Sequence, residues 1–342
     1  MKLISFAVPS YNSQDYLHHC VDTLLSGGED VEILIVNDGS KDNTAAIADE
    51  YAAKYPTIVR AIHKENGGHG SGVNRGREEA QGLYYKVVDS DDWVNEEALK
   101  TLLDTIKIHL AEDTLPDLYI TNFIYDHVYD NTRFVRRWNK QFPVNSFCTW
   151  KDVGSFHGSE VLLMHSLMYK TNLLRKSETV LPEHTFYVDN YFAYKPLPLM
   201  QKIYYLDVNL YHYFIGREDQ SVNIKNFSRR YDQQIRVMRY MVDSYSYAQI
   251  DGMVGPLRSY MLHCLSAIMM NTMMFCCAGD SEPERIAAHD ALWQHIRQQD
   301  PDLYHCLANR GMCTFFKWMP WKLRGRCMLI GYKLLCKFVK LG

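Results

Sequence analysis

The segment Leu83-Tyr84-Tyr85-Lys86-Val87-Val88-Asp89-Ser90-Asp91-Asp92-Trp93 says more about the fold than any other part of the chain. Apolar and aromatic residues predict a buried strand over 83–88, which then runs into three carboxylates within four positions. Like charges this close raise one another's pKa. A hard divalent cation such as Mg²⁺ or Mn²⁺ relieves that conflict by taking carboxylate oxygens as ligands. A strand that delivers carboxylates to a metal, which in turn holds phosphates, has the skeleton of a nucleotide-sugar site. The plainer reading of Asp89–Asp92 alone is a solvated acidic turn ahead of the next helix.

The flanking sequence decides between the two. Upstream, strands are predicted over 3–8, 31–36 and 57–63, with helices over 15–25 and 43–54 and from a glycine-rich loop (Gly67-Gly68-His69-Gly70-Ser71-Gly72) to about Gln81. Downstream, a helix is expected from about Asn95 to His109. Alternation at this spacing means an open, mostly parallel α/β sheet, in which ligands bind beyond the carboxyl ends of the strands. Every unusual polar cluster falls at such an end: Pro9–Asn12, Asn37–Ser40, the glycine loop and Asp89–Asp92. That coincidence argues for one shared site.

The 342 residues, 47% hydrophobic and 23% charged, bound a globular chain of two domains, or of one domain with an extension. A net charge of −3 excludes a polyanion binder, so no nucleic-acid partner is expected. Nine cysteines without a CxxC pair point to a reducing cytoplasm and away from the usual zinc pattern. The short apolar run at the N-terminus is read as a strand, not a signal peptide. Beyond Leu115-Pro116 the pattern becomes irregular and aromatic, with strands expected over 117–125 and 133–138 and a mixed segment from Leu162 to Leu174. It becomes helical from about Asn226. Residues 257–278 are nearly free of charge, but His263, Ser266, Asn271, Thr272 and five methionines fit a packed helix better than a membrane span.

Two phosphate-binding patterns fail on spacing. Gly68-x-Gly70 would need glycine at position 73, which is Val73, and Gly67-x4-Gly72 is followed by Val73-Asn74 instead of Lys-Ser/Thr. The loop can still bring backbone close to an anion; otherwise it is a turn. Asp38 can accept hydrogen bonds from a ribose or a base, or cap an Asx-turn.

In order along the chain stand Val8-Pro9-Ser10-Tyr11-Asn12, Val36-Asn37-Asp38-Gly39-Ser40-x-Asp42-x-Thr44, Glu65-Asn66-Gly67-Gly68, Asn74-x-Gly76 and Val88-Asp89-Ser90-Asp91-Asp92. This set strongly resembles the family 2 glycosyltransferases of GT-A fold, over roughly the first 110 residues. The resemblance implies a GT-A core, Rossmann-like with a mostly parallel nucleotide-binding sheet (1–112). An irregular acceptor and catalytic-base region (113–225) and a helical C-terminal extension (226–342) would follow. It also implies a nucleoside-diphosphate-sugar donor, usually a UDP-sugar, and inversion at the anomeric carbon. Pro9 and Tyr11, with Asn12, would frame and stack the uracil, and Asp38 would hydrogen-bond it. Gly68, Asn74 and Ser90 would complete the nucleotide site. Asp89 would lie near the ribose or the metal, Asp91 would carry most of the Mn²⁺ or Mg²⁺ coordination, and Asp92 would shape the sugar pocket. Many members carry Ala-Arg-Asn where this chain has Gly72-Val73-Asn74, so the arginine is displaced to Arg75 or lost, with His69 a candidate replacement.

Inversion needs a base for the acceptor hydroxyl. The matching stretch is Phe186-Tyr187-Val188-Asp189-Asn190-Tyr191-Phe192, in which Val188 stands where relatives carry glutamate and Asp189 becomes the base; Glu183, Asp152 and His157 are reserves. Tyr211-x-Tyr213-x-x-Gly216-Arg217 resembles the segment that closes over the donor diphosphate, with Arg217 supplying charge, and His165–Thr171 would border the acceptor. Gln233-x-x-Arg236 lacks the tryptophan of processive synthases, so one sugar per encounter is expected.

The last residues carry Lys317, Lys322, Arg324, Arg326, Lys333, Lys337 and Lys340 with no acid, interleaved with apolar residues and preceded by Trp318 and Trp321. This pattern predicts an interfacial helix on an anionic membrane over 317–342, or a packed helix with a solvated basic face. The combined expectation is an inverting hexosyltransferase acting on a glycan or lipid-linked glycan of a surface polysaccharide or teichoic-acid-like polymer. It would be cytoplasmic, or peripheral at the inner membrane face where the tail engages. The alternative is a catalytically silent sugar-nucleotide-binding module. A sugar-nucleotide pyrophosphorylase would need a glycine-rich, basic loop after the first strand, and Pro9-Ser10-Tyr11-Asn12 is not one.

Overall fold

The computed structural model describes residues 1–127, 129–216, 227–278, 283–317 and 319–339. The chain divides into two compact units. The first comprises Met1–Val153, Leu162–His184 and Pro196–Phe214; the second comprises Gly154–Val161, Thr185–Lys195 and Ile215–Gly342. Most of the region expected to form a separate acceptor segment, 113–225, thus groups with the N-terminal core.

In the first unit β1 (Ile4–Ser10), β2 (Val31–Asp38), β3 (Val59–Lys64) and β4 (Tyr84–Val87) pair in parallel in the order β3-β2-β1-β4. β1 and β2 are buried along their whole length, as strands covered on both faces must be, and this explains their unbroken apolar runs. Helices α1 (Leu17–Leu25), α2 (Thr44–Lys54) and α3 (His69–Glu79) are the crossovers. α3 lies very close to β1: a Cβ on Gly76 would sit 2.5 Å from that of Ala7. After the two-residue strand β5 (Trp93–Val94) comes α4 (Glu96–Ala111). The Asn95 carboxamide caps it by accepting the Ala98 N–H at 2.9 Å, with Glu96 and Glu97 in the first turn.

The sheet then continues in antiparallel pairs. β6 (Leu118–His127), β7 (Thr132–Arg136), β8 (Ser146–Cys148), β9 (Leu167–Lys170) and β10 (Ile203–Ile215) extend it past β4 in the order β9-β6-β10-β5, with β7 on β6 and β8 on β10. Helix α5 (Thr171–Lys176) follows β9 directly. The long strand β10 was not anticipated from sequence, and it supplies an anchor for the acidic run.

The second unit is helical. α6 (Asp189–Tyr194) belongs to it, and Gly255–Cys277 is its central helix. By length and composition Gly255–Cys277 could cross a membrane, but most of it is buried inside the protein. Its C-terminal end packs with Phe227, Phe316 and Met328, so its apolar residues form a core.

Candidate functional site

The loops after β1, β2 and β4 are tied together by side chains. The Asn12 N–H donates to Ser40 Oγ at 3.0 Å, while Asn12 Oδ1 accepts the Lys41 N–H at 2.8 Å. The Ser13 N–H reaches Thr44 Oγ1 at 2.7 Å, and the Ser13 and Ser90 hydroxyls are 2.7 Å apart. Asn12 takes a positive φ of 51°, which an asparagine tolerates better than most residues. Beside this seam Tyr11 stands 48% exposed, a free aromatic face at the end of β1, and Pro9 is buried within the strand.

Asp38 is almost fully buried at the end of β2. Its Oδ1 accepts from Lys64 Nζ (2.7 Å) and the Gly67 N–H (2.9 Å), and its Oδ2 from the Gly68 N–H (2.7 Å). Both oxygens therefore hold the glycine loop, which turns at Gly68 with φ of 83° to open α3. Asn74 clamps the backbone of Leu181, donating to its carbonyl at 2.8 Å and accepting its N–H at 2.9 Å. Of the two arginines near Val73, Arg75 pairs with Glu79 at 2.7 Å and Arg77 donates to the Thr179 carbonyl. It is His69 that meets the acidic run: its Nε2 lies 2.7 Å from Asp89 Oδ1.

The run itself divides by burial. Asp92 is buried, with Oδ2 accepting the Tyr211 hydroxyl at 2.5 Å and Oδ1 the Phe214 N–H at 2.8 Å. Burial, then repulsion from Asp91 and Asp89, holds its carboxyl well above the ordinary range. Burial acts the same way on Asp89, but the charge and hydrogen bond of His69, helped by His165, outweigh it and bring that carboxyl below its usual value. Asp91 is only half-buried between them. Asp89, Asp92 and His165 each present a ligand atom, all within 4.8 Å of one another. A donor set dominated by carboxylate oxygen fits Mg²⁺ or Mn²⁺. Lys86, in β4 ahead of the run, is fully buried. Its ammonium donates to the His165 carbonyl at 2.6 Å, and burial lowers its pKa to about 7.

The remaining sequence candidates differ in their surroundings. Asp189 opens α6 in the second unit, half-buried, with its Oδ1 3.4 Å from Asn190 Nδ2. Val188 beside it is buried. Asp152 is occupied as a cap, accepting the Thr149 N–H at 2.8 Å, and the exposed Glu183 accepts from Ser71 Oγ at 3.4 Å. The His157 N–H donates to Glu160 Oε2 at 2.9 Å. Arg217 lies outside the described residues. Sequence reading did not foresee Tyr211 as the anchor of Asp92, nor Lys86. The tyrosine alternation in 203–215 and a lysine inside a buried strand were the available signals.

A parallel β3-β2-β1-β4 sheet ending in an acidic run, extended by antiparallel strands, defines the GT-A class of nucleotide-sugar-binding folds. Residues 5–170 match the model described as "Glycosyl transferase family 2", and the chain belongs to that family. It is 26% identical over 245 residues to EpsH of Bacillus subtilis, covering 68% of this chain and 64% of EpsH. It is 34% identical over 111 residues to the minor teichoic acid biosynthesis protein GgaB of the same organism, covering 32% of this chain and 12% of GgaB. The chain thus spans less than two thirds of the length of both relatives. Among solved structures, S. aureus TarS 1-349 in complex with UDP-GlcNAc superposes with a TM-score of 0.65 at 19% identity, covering 98% of this chain and 92% of that one.

Proposed function

We propose that this protein transfers one hexose-type sugar per encounter from a UDP-sugar to a hydroxyl of a glycan or lipid-linked glycan, with inversion. The observation that carries the reading is the Asp89–Asp92 run at the end of β4, joined through Ser90 and Ser13 to the loop bearing the exposed Tyr11. In this reading Tyr11 and Pro9 offer the uracil its stacking face. Asp38 and Asn12 act largely by shaping the loops around the nucleotide, because their oxygens already serve backbone N–H groups. Asp91 and Asp89 would hold Mn²⁺ or Mg²⁺. A bound cation supplies neutralising charge to the leaving diphosphate. Asp189 takes the acceptor proton.

The UDP donor is supported by TarS, whose fold this chain shares and which was solved with UDP-GlcNAc. A surface-polymer acceptor is supported by the likeness to GgaB. We place the enzyme in the cytoplasm, peripheral to the inner membrane face through its basic tail. The test is UDP release from a panel of UDP-, GDP- and dTDP-sugars, with and without Mn²⁺ and with a glycan acceptor. Metal-dependent release from a UDP-sugar that is lost in Asp91→Asn supports the reading. Tight UDP-sugar binding with no turnover on any acceptor would instead identify a silent binding module.

A further inference from the structure

We infer that His165 is a nitrogen ligand of the cation site at the end of β4, making it a mixed carboxylate–imidazole site. The inference rests on the metal-dependent reading above and deepens it.

His165 is only 6% exposed, and its Nδ1 is buried with no hydrogen-bond partner. A structural core histidine normally satisfies both ring nitrogens, because an unmet polar atom in a buried site is costly. Here the ring is held in place by other means. It lies against Tyr211 and Tyr213, each at a centroid distance of 4.6 Å, and near Phe123 at 5.6 Å. Its backbone is fixed by Lys86, which donates to its carbonyl at 2.6 Å. A ring so fixed has little freedom to seek another partner.

What it faces is the acidic run. A ring nitrogen of His165 and carboxylate oxygens of Asp89 and Asp92 lie within 4.8 Å of one another. Ligand atoms bonded to one ion at about 2.1 Å sit roughly 3–4 Å apart, so a small contraction brings these atoms into a shell. Asp89 is met by His69, and Asp92 by Tyr211 and Phe214. The imidazole therefore adds a nitrogen donor to a set of carboxylate oxygens. Its chemistry has a consequence: an imidazole ligand favours a transition ion over Mg²⁺, which prefers an all-oxygen shell. The site should bind Mn²⁺ in preference to Mg²⁺, and His165 should be the reason.

The test uses the full chain with UDP and Mn²⁺. Electron spin-echo spectroscopy of the bound Mn²⁺ should show ¹⁴N modulation from a directly coordinated imidazole in the wild type, and His165→Phe should abolish it. Titration followed by EPR should show Mn²⁺ affinity falling about tenfold or more in His165→Phe and in His165→Gln, with Mg²⁺ affinity from competition changing less than about twofold. Bound Mn²⁺ without nitrogen modulation in the wild type, or modulation that survives in both variants, overturns the assignment while leaving the metal-dependent reading intact. Failure of the wild type to bind Mn²⁺ overturns both. Absence of nitrogen modulation in the wild-type spectrum overturns the assignment even if a variant does not fold, and the two variants guard against one of them failing to fold.

Discussion

Tyr211 and Asp92, 119 residues apart in sequence, are joined by a 2.5 Å hydrogen bond from the phenol to the buried carboxylate. The same hydroxyl accepts the Asp89 N–H at 3.2 Å, so one side chain of β10 pins both ends of the acidic run. The turn after β4 is thus braced from the antiparallel half of the sheet, with Asp92 buried and Asp89 and Asp91 half-buried.

Tyr211→Phe removes a donor from a buried carboxylate, and destabilisation by about 1–3 kcal/mol is expected. The effect carries a pH signature. The Asp92 carboxyl is raised in the folded protein, so the native state holds its proton more tightly than the unfolded chain, and stability falls as pH rises above the ordinary aspartate range. Loss of the phenol, which favours the ionised form, steepens that fall. Urea unfolding of both proteins at pH 5 and pH 8 checks this; a deficit that does not grow with pH would mean that Asp92 does not need the bond.

Lys86 offers a second linkage test. Burial depresses its pKa to about 7, while an unfolded lysine stays protonated to about 10.4. Between those values the unfolded state binds more protons, so stability rises with pH by up to about 1.4 kcal/mol per unit. Lys86→Met should flatten this rise. Comparing unfolding free energies of the two proteins at pH 7 and pH 9 isolates it from other groups. Parallel curves would show that Lys86 stays charged in the fold.

Some of this was readable before any coordinates. The apolar runs of β1 and β2 and the polar residues closing them announce a parallel sheet with a site at its carboxyl end, because strands buried on both faces cannot hide such residues without a purpose. What each oxygen does was not readable. Asp38 looks like a ligand contact in sequence, yet its carboxylate spends three hydrogen bonds on Lys64, Gly67 and Gly68. Asn74 looks like part of the nucleotide site, yet it clamps Leu181, 107 residues on. Such pairings depend on register between distant strands and loops, which local pattern does not encode. β10 was hidden for a related reason: Asp207, Asn209 and His212 interrupt its apolar pattern, and they find partners across the sheet, as Asn209 does with Asn122 and His212 with Asp126.

The basic tail can be tested without removing it. In the helix Trp321–Val339, Met328, Leu329 and Trp321 join the apolar cluster of the second unit, whereas Lys322, Leu323, Arg326 and Ile330 are exposed. The side chains of Lys333 and Lys337, with Trp318 and Lys340, lie outside the described residues. Deleting 317–342 would remove part of that core, so charge substitution is the cleaner probe. The double variant Lys322→Gln/Arg326→Gln should lose about 2 kcal/mol of binding to anionic vesicles at low salt, at about 1 kcal/mol per charge, with little change in melting temperature. Vesicle sedimentation that is the same for both proteins, or insensitive to salt, would make the helix a purely structural element.

Asp189 is the most consequential residue in the proposed reaction, and its neighbour sharpens the assignment. Position 188 is a buried valine, so the first acidic group at the start of α6 is Asp189, half-buried, with its Oδ1 3.4 Å from Asn190 Nδ2. A carboxylate at the start of α6 is of the right chemical type to take a substrate proton, whereas Asp152 is spent on a cap. Asp189→Asn preserves shape and removes the base, so transfer to acceptor should fall by about 10²–10⁴-fold. UDP affinity and melting temperature should stay within about twofold and a degree or so, because the role is chemical and local to the acceptor. The drop should appear in kcat more than in KM for the donor, since proton removal is needed only as the new bond forms. Turnover that survives in a folded Asp189→Asn variant would end the assignment and shift attention to Glu183, the exposed acid beside Ser71.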